Sequence, residues 1–316
     1  MINTVTGPVS PEDLGFTMAH EHVLVSSAGI NHTFPELVER DRTRDKAIVQ
    51  LTAAKAGGLG TIIDATPMDL GRDVALLREV SKASGVNIVC ATGVWFDVPR
   101  TFWLMTPEEM ARLFVREIEE GIEGTGARAG VIKVASHIGG VTPQAELVLR
   151  AAAITQRETG VPITCHAYAP ERVGDRQLDV LIDAGVDPGR IYIGHSDDSG
   201  DLDYLVGVVE RGAWLGLDHL TFGHRDGALT LEQRLANLMA LLDAGHQERI
   251  LFGQDWAVNM PVLGADLLRE REEYNPHGYL FAMNVVLPRL REMGVPEPTI
   301  EQITVDNPKR FLTPVK

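Results

Sequence analysis

Eight short apolar runs recur along the chain, at residues 16–23, 61–65, 87–92, 130–135, 162–167, 190–195, 213–217 and 249–255. Each is rich in Val, Ile or Leu and is entered from a Gly- or Pro-containing turn, the pattern of strands buried on both faces. Longer amphipathic stretches separate them. Residues 107–122 read as a helix with Thr106 as N-cap, Pro107 at the first helical position, and Glu108 and Glu109 in the first turn. Thr142 and Pro143 repeat that device before a helix over 144–159, which Gly160 closes; Asp183-Ala184-Gly185 and Asp243-Ala244-Gly245 end two more. Regular strand–helix alternation calls for parallel β/α construction. A doubly wound sheet is the rival. Eight units without a Gly-x-Gly-x-x-Gly turn after the first strand favour an α/β fold of the closed (β/α)8 TIM-barrel type, with its active site at the C-terminal ends of the strands.

No linker, low-complexity tract or shift in composition divides the 316 residues, so 1–316 is expected to form one barrel domain. With 29 basic against 44 acidic residues, a net charge of −15 and no Lys/Arg block, the chain has the wrong footprint for nucleic acid or an anionic membrane. No run approaches the ~20 apolar residues that span a bilayer. Residues 1–20 lack a basic segment followed by an apolar one, and Cys90 and Cys165 sit in apolar strands as buried thiols. These features point to the cytoplasm. Two stretches read as irregular loops over the C-terminal face, 221–228 and 256–278.

The first strand carries His20-Glu21-His22. Residues i and i+2 of a strand face the same way, so both imidazoles can chelate one ion, although such a pair can equally be structural. The metal reading gains from His166, His195 and Asp255, each at the end of another strand. In a barrel these four histidines and the aspartate converge on one small volume. Lys133 lies inside the strand 130–135, where an ammonium is seldom buried. It either pairs with a carboxylate, snorkels to the rim, or reacts with CO2 to give a carbamate able to bridge two cations.

The sequence resembles the bacterial phosphotriesterases (organophosphate hydrolases) and their lactonase relatives in the amidohydrolase superfamily. The resemblance rests on TMAHEH at 17–22, SSAG at 26–29, GRDV at 71–74, ATGVWFD at 91–97, RAGVIK at 128–133, IGHSDD at 193–198, GLDH at 216–219 and NPKRF at 307–311. It implies a (β/α)8 barrel and a binuclear centre. His20, His22 and Asp255 would hold the more buried metal and His166 and His195 the more exposed one, bridged by carboxylated Lys133 and a hydroxide. Zinc is the default ion; cobalt, manganese or iron suit the same N/O donors. Asp255 would take the hydroxide proton, and His219 and Asp198 match the family's outward relay, although Asp197-Asp198 could also simply cap a helix. The resemblance also implies a small neutral ester as partner and a homodimer.

For the substrate, Trp95, Phe96 and His219 agree with phosphotriesterases, whereas lactonase relatives tend to carry Tyr and Arg at the first and last of these places. Further expected pocket residues are Leu24, Val25, Leu70, Phe222, Met260 and Leu263. Leu24 and Val25 replace smaller residues, Phe222 replaces a histidine, and Met260 and Leu263 replace aromatics. The stretch from His219 to Asp255 is also shorter. The expectation is a hydrolase of aryl dialkyl phosphotriesters with some lactone activity. A lactonase is the alternative, and a mononuclear deaminase-type enzyme or a non-catalytic metal-bound protein are readings of other classes. Within 95–105, the later residues Phe102, Trp103, Leu104 and Met105 are expected towards a partner subunit. His32, His246 and His277 read as surface or loop residues, as do His137 and His224 nearer the active face, and 269–273 as a solvated helix face.

Overall fold

Nine parallel strands form one sheet in the computed structural model, which describes residues 1–223 and 227–315. In chain order they are β3 (Phe16–Leu24), β4 (Leu59–Asp64), β5 (Asn87–Gly93), β6 (Val131–Ala135), β7 (Ile163–His166), β8 (Ile191–Ile193), β9 (Trp214–Leu217), β10 (Ile250–Phe252) and β11 (Ala257–Asn259). A short antiparallel pair, β1 (Ile2–Thr4) and β2 (Gly7–Val9), precedes them. The sheet runs β10-β9-β8-β7-β6-β5-β4-β3-β11. Its two edges, β10 and β11, are successive pieces of one chain segment: β10 pairs with β9, and β11 pairs with β3. Between them the Asp255 N–H donates to the His20 carbonyl at 2.9 Å and the His22 N–H to the Trp256 carbonyl at 2.8 Å. The ring is thereby closed, and the (β/α)8 barrel read from the periodicity is the architecture found.

Strand alternation divides the core in two. Ile63, Val89, Ala91, Val131, Tyr192 and Leu251 point inward and pack with Ile2, Leu14 and Phe311, which plug the barrel floor. Their neighbours Ile62, Ile88, Cys90, Ile132, Val134, Cys165 and Ile193 point outward into the layer shared with the helices. Lys133 follows Val131 on the inward face, one layer nearer the C-terminal rim. Both cysteines are buried and unbonded, and Cys165 faces away from the barrel interior.

The helix caps follow the sequence signals. Thr106 and Glu109 form a reciprocal capping box on Pro107–Glu119. Thr142 caps Pro143–Thr159, which ends on Gly160 at φ 77°. Three expectations need correction. The eighth strand does not run through to 255: it breaks after Phe252, and Asp255 takes a left-handed φ of 48°. The helix from Pro107 stops at Glu119 because the Ile122 N–H turns back to the Ala127 carbonyl at 2.8 Å. The stretch 256–278 is not irregular, since it holds β11 and the helix Gly264–Tyr274. Among the described residues no helix is long and apolar enough to cross a membrane.

Candidate metal centre

Strand β3 presents His20 and His22 to the barrel mouth, and the turn after β10 brings Asp255 to meet them. Asp255 Oδ1 lies 2.9 Å from His22 Nε2 and 3.7 Å from His20 Nε2. The far nitrogens are held by other groups. His20 Nδ1 is 2.9 Å from Asp218 Oδ2, and His22 Nδ1 is 2.7 Å from Thr66 Oγ1. A carboxylate can only accept, so the Asp218 contact fixes the proton on His20 Nδ1 and turns the Nε2 lone pair inward.

The second group comes from the opposite wall. His195 sits at φ 58°, just past β8, and its Nε2 is 2.8 Å from Nδ1 of His166 at the end of β7. Asp218 Oδ1 receives both the N–H of His195, at 2.6 Å, and its Nδ1, at 2.9 Å. His166 is held from behind by Gln177, whose amide donates to the His166 carbonyl at 2.9 Å. Lys133 Nζ approaches from β6 to 3.0 Å from His20 Nε2. Burial pushes the Lys133 ammonium down to about 8, against the pull of Asp255 and Asp218. Burial and then Lys133 push His20 down to about 3, while burial and His195 push His166 well below the usual imidazole range.

Imidazoles whose outward nitrogens are held by Asp218 and Thr66, a carboxylate and a buried lysine around one volume make a donor set that fits divalent cations. His20, His22 and Asp255 offer ligand atoms within 4.8 Å of one another. His20, His195 and Asp218 also cluster that closely. There, however, Asp218 contacts the outward nitrogens, so its place is behind the ligands.

A chain of polar contacts leads out of this volume. Asp255 Oδ2 lies 3.2 Å from His219 Nε2, and His219 Nδ1 lies 2.7 Å from Asp198 Oδ2. Burial would lower the His219 pKa, but Asp198 and Asp255 overcome it and push it up to about 10. The ring is sandwiched between His195, at 3.9 Å and 23°, and Phe222, at 4.0 Å and 22°. Asp197 takes the N–H groups of Asp218 and His219 and pairs with buried Arg234, which also reaches Asp198. Asp198 therefore does more than start the next helical turn.

Above lies a cavity of about 610 Å³. Val25, Leu70, Trp95, Phe222, Met260 and Leu263 line it as expected, together with His137 and Tyr168. Two pocket residues are misplaced by the sequence reading. Leu24 is the last residue of β3 and is buried in the outer core, leaving Val25 to face the cavity. Phe96 is 47 % exposed and lines a neighbouring cleft, touching Trp95 and His137 edge-on. Phe102 turns into the core, whereas Trp103 and Leu104 stay exposed. His137 is not a bystander: its Nδ1 lies 3.0 Å from His166 Nε2. Nor is 269–273 wholly solvated, because Arg271 is 2 % exposed. His224 lies outside the described residues. Sequence reasoning missed Asp218, Thr66 and Gln177; only the acidic residue at a strand end, beside His219, offered a signal.

A model of the phosphotriesterase family matches residues 1–312. The chain is 34% identical over 312 residues to the aryldialkylphosphatase of Saccharolobus solfataricus, covering 96% of this chain and 97% of that protein. It is 36% identical over 320 residues to a phosphotriesterase homology protein of Mycobacterium tuberculosis, covering 98% and 97%. It is also 24% identical over 349 residues to the N-acetyltaurine hydrolase of Xenopus tropicalis, covering 99% and 97%. A closed β/α barrel, a histidine–carboxylate cluster at its C-terminal mouth and these matches agree, and the chain belongs to the phosphotriesterase family of metal-dependent hydrolases.

Proposed function

We propose that the protein hydrolyses neutral phosphotriesters with an aryl leaving group, transferring the phosphoryl group to water and releasing the aryl alcohol. The observation that carries this reading is the path Asp255–His219–Asp198, with its contacts of 3.2 and 2.7 Å, beneath an aromatic and aliphatic wall. Two divalent cations, zinc by donor type, would be held by His20, His22 and Asp255 and by His166 and His195. Bound there, they supply hydroxide at neutral pH and polarise the P=O or C=O oxygen of the ester. Lys133 would join them as a carbamate, its amine adding to CO2 with loss of one proton; its buried position and a pKa drawn down to about 8 favour the neutral amine that this addition needs.

The remaining chemistry belongs to this chain's side chains. Asp255 Oδ2 receives the proton lost by the attacking water. From Asp255 the path runs on through His219, 3.2 Å away, to Asp198, which at 26 % side-chain exposure meets solvent at the rim. Trp95 and Leu70 exclude water and seat the leaving group. Among the described lining residues Lys133 is the single Lys or Arg, which suits a neutral substrate.

A lactone is the second reading. Met260, Val262 and Leu263 form an aliphatic strip on one side of the cavity that suits an alkyl chain. A paired assay decides, with paraoxon-type triesters and acyl-homoserine or δ-lactones on one metal-loaded preparation. The triester is expected to give the higher kcat/KM, and a lactone preference on the order of a hundredfold overturns the ranking. Metal analysis should return about two ions per chain; one ion per chain removes the binuclear centre.

A further inference from the structure

The backbone around Asp255 is held by two buried polar side chains, Glu21 and Arg271, and the second comes from the helix above the cavity. Asp255 occupies a left-handed φ of 48°, a conformation that a non-glycine residue keeps only when its surroundings impose it. From below, the fully buried Glu21 accepts the N–H of Gln254 at 2.8 Å and of Trp256 at 3.1 Å, straddling Asp255. From above, Arg271 donates to the Asp255 carbonyl.

Arg271 differs from its neighbours on Gly264–Tyr274. Asp266, Arg269, Glu270, Glu272 and Glu273 are exposed, whereas Arg271 is buried. Its guanidinium lies 5.2 Å from the Phe222 ring centre and 5.1 Å from that of Trp256, and it reaches Met260 Sδ at 3.4 Å. Planar stacking with a directed N–H donor is a task lysine performs poorly. Phe222 in turn stacks on His219, and Met260 and Leu263 line the cavity from the same loop as the helix. One side chain thus touches the loop after β9, the loop after β10 and the peptide of Asp255.

We propose that Arg271 is a positioning residue that latches the helix Gly264–Tyr274 to the backbone of Asp255, coupling the cavity wall to the metal site. The proposal rests on the reading of Asp255 as a ligand. Release of the latch lets the Asp255 peptide relax from its left-handed state, which loosens the carboxylate from His22 and widens the cavity beside Phe222 and Met260. Substrate binding and metal retention then share one element.

The test uses the metal-loaded enzyme and the variants Arg271→Met, Arg271→Lys, Arg269→Met and Asp255→Asn. Metal loss to excess EDTA, kcat and KM for a triester, and circular dichroism are measured on each. Arg271→Met is expected to release metal on the order of tenfold faster, with lower kcat and higher KM, and Arg271→Lys to fall between it and the parent. Arg269→Met should match the parent. A folded Arg271→Met with parental release and kinetics overturns the latch, as does equal damage in Arg269→Met. If Arg271→Met does not fold, parental values in a folded Arg271→Lys overturn it. Asp255→Asn separates the two levels: full metal content there removes the ligand reading itself, whereas metal loss there with a parental Arg271→Met removes the latch alone.

Discussion

Asp218→Asn is the most telling single substitution, because the change is nearly isosteric and the acceptor count can be followed atom by atom. Asp218 is fully buried, and its two oxygens meet four donors. Oδ1 receives the His195 N–H at 2.6 Å and Nδ1 at 2.9 Å; Oδ2 receives His20 Nδ1 at 2.9 Å and the Tyr192 hydroxyl at 2.5 Å. An asparagine has one acceptor oxygen and one NH2. The backbone N–H of His195 cannot become an acceptor, so the amide oxygen must face it and the NH2 must face His20. Tyr192 can rotate its hydroxyl and accept. His20 can accept only by moving its proton from Nδ1 to Nε2, which places a hydrogen where the inward lone pair stood.

The variant is therefore expected to bind metal about 10- to 100-fold more weakly, a loss of about 1.4–2.7 kcal/mol. The metal-free protein should lose about 1–3 kcal/mol as charge-assisted hydrogen bonds become neutral ones, partly offset by the cheaper burial of an amide. Titration with zinc in a competing chelator buffer reads the first quantity and urea unfolding of the metal-free form the second. Imidazole nitrogen NMR would show the His20 proton transferred. A folded variant whose metal affinity lies within about threefold of the parent would refute the tautomer argument.

Two further substitutions probe the frame of the site. Gly93 pairs with Lys133 across β5 and β6 at φ 95°, and a Cβ there would stand 2.1 Å from the Lys133 carbonyl oxygen. Gly93→Ala should cost upwards of about 4 kcal/mol in urea unfolding, whereas Gly85→Ala, also left-handed but with nothing within 4 Å, should cost about 1–2 kcal/mol; equal costs would remove the clash argument. Asp69 accepts the Trp95 N–H at 2.9 and 3.0 Å, and burial, with Asp97 nearby, pushes its carboxyl from 3.8 to about 6. The folded state then binds the extra proton between those values, so this contribution to stability is full below pH 3.8 and is lost as pH rises through about 6. Asp69→Asn keeps an acceptor for Trp95 and should gain about 1.4 kcal/mol on the parent between pH 5 and 7.5 at fixed metal content; a flat or opposite difference in urea midpoints contradicts the sign.

The barrel was legible because its strands are buried on both faces and advertise themselves as apolar runs between turn residues. Strand alternation then made the cluster legible: with Val131 inward, Lys133 must be inward, and His20 and His22 share a face. The same rule failed at Leu24, where the strand ends and the next residue turns into the cavity. It failed again at Asp255, because the break in the eighth strand is imposed by Glu21, a residue 233 positions away in sequence from Gln254. Asp218 was hidden for a similar reason. Its role is defined by His20, 198 residues distant, and by His195, 23 residues distant, and no local pattern encodes such a meeting. Arg271 was obscured by its charged neighbours, which give its helix the composition of a solvated surface.

These hidden residues share one physical task. A parallel strand that ends at the barrel mouth leaves N–H groups without a ladder partner, and a dry rim makes each one costly. Carboxylates answer that demand in turn: Asp64 for Val23 and Thr66, Asp197 for Asp218 and His219, Asp218 for His195, and Glu21 for Gln254 and Trp256. Each of these acids is fully or almost fully buried. Burying these acids is expensive. Burial pushes the Glu21, Asp64 and Asp197 carboxyls up, while against burial His195 and His20 hold Asp218 well below the usual range. Arg234, Arg271 and Lys133 are buried cations close by. The divalent ions proposed for the site would relieve that cost. The groups that end the strands would then also supply the field that retains the metals, so strand termination and metal affinity are set by the same side chains. The net charge of −15 is silent on this arrangement, since what matters is where four of the 44 acidic residues are placed.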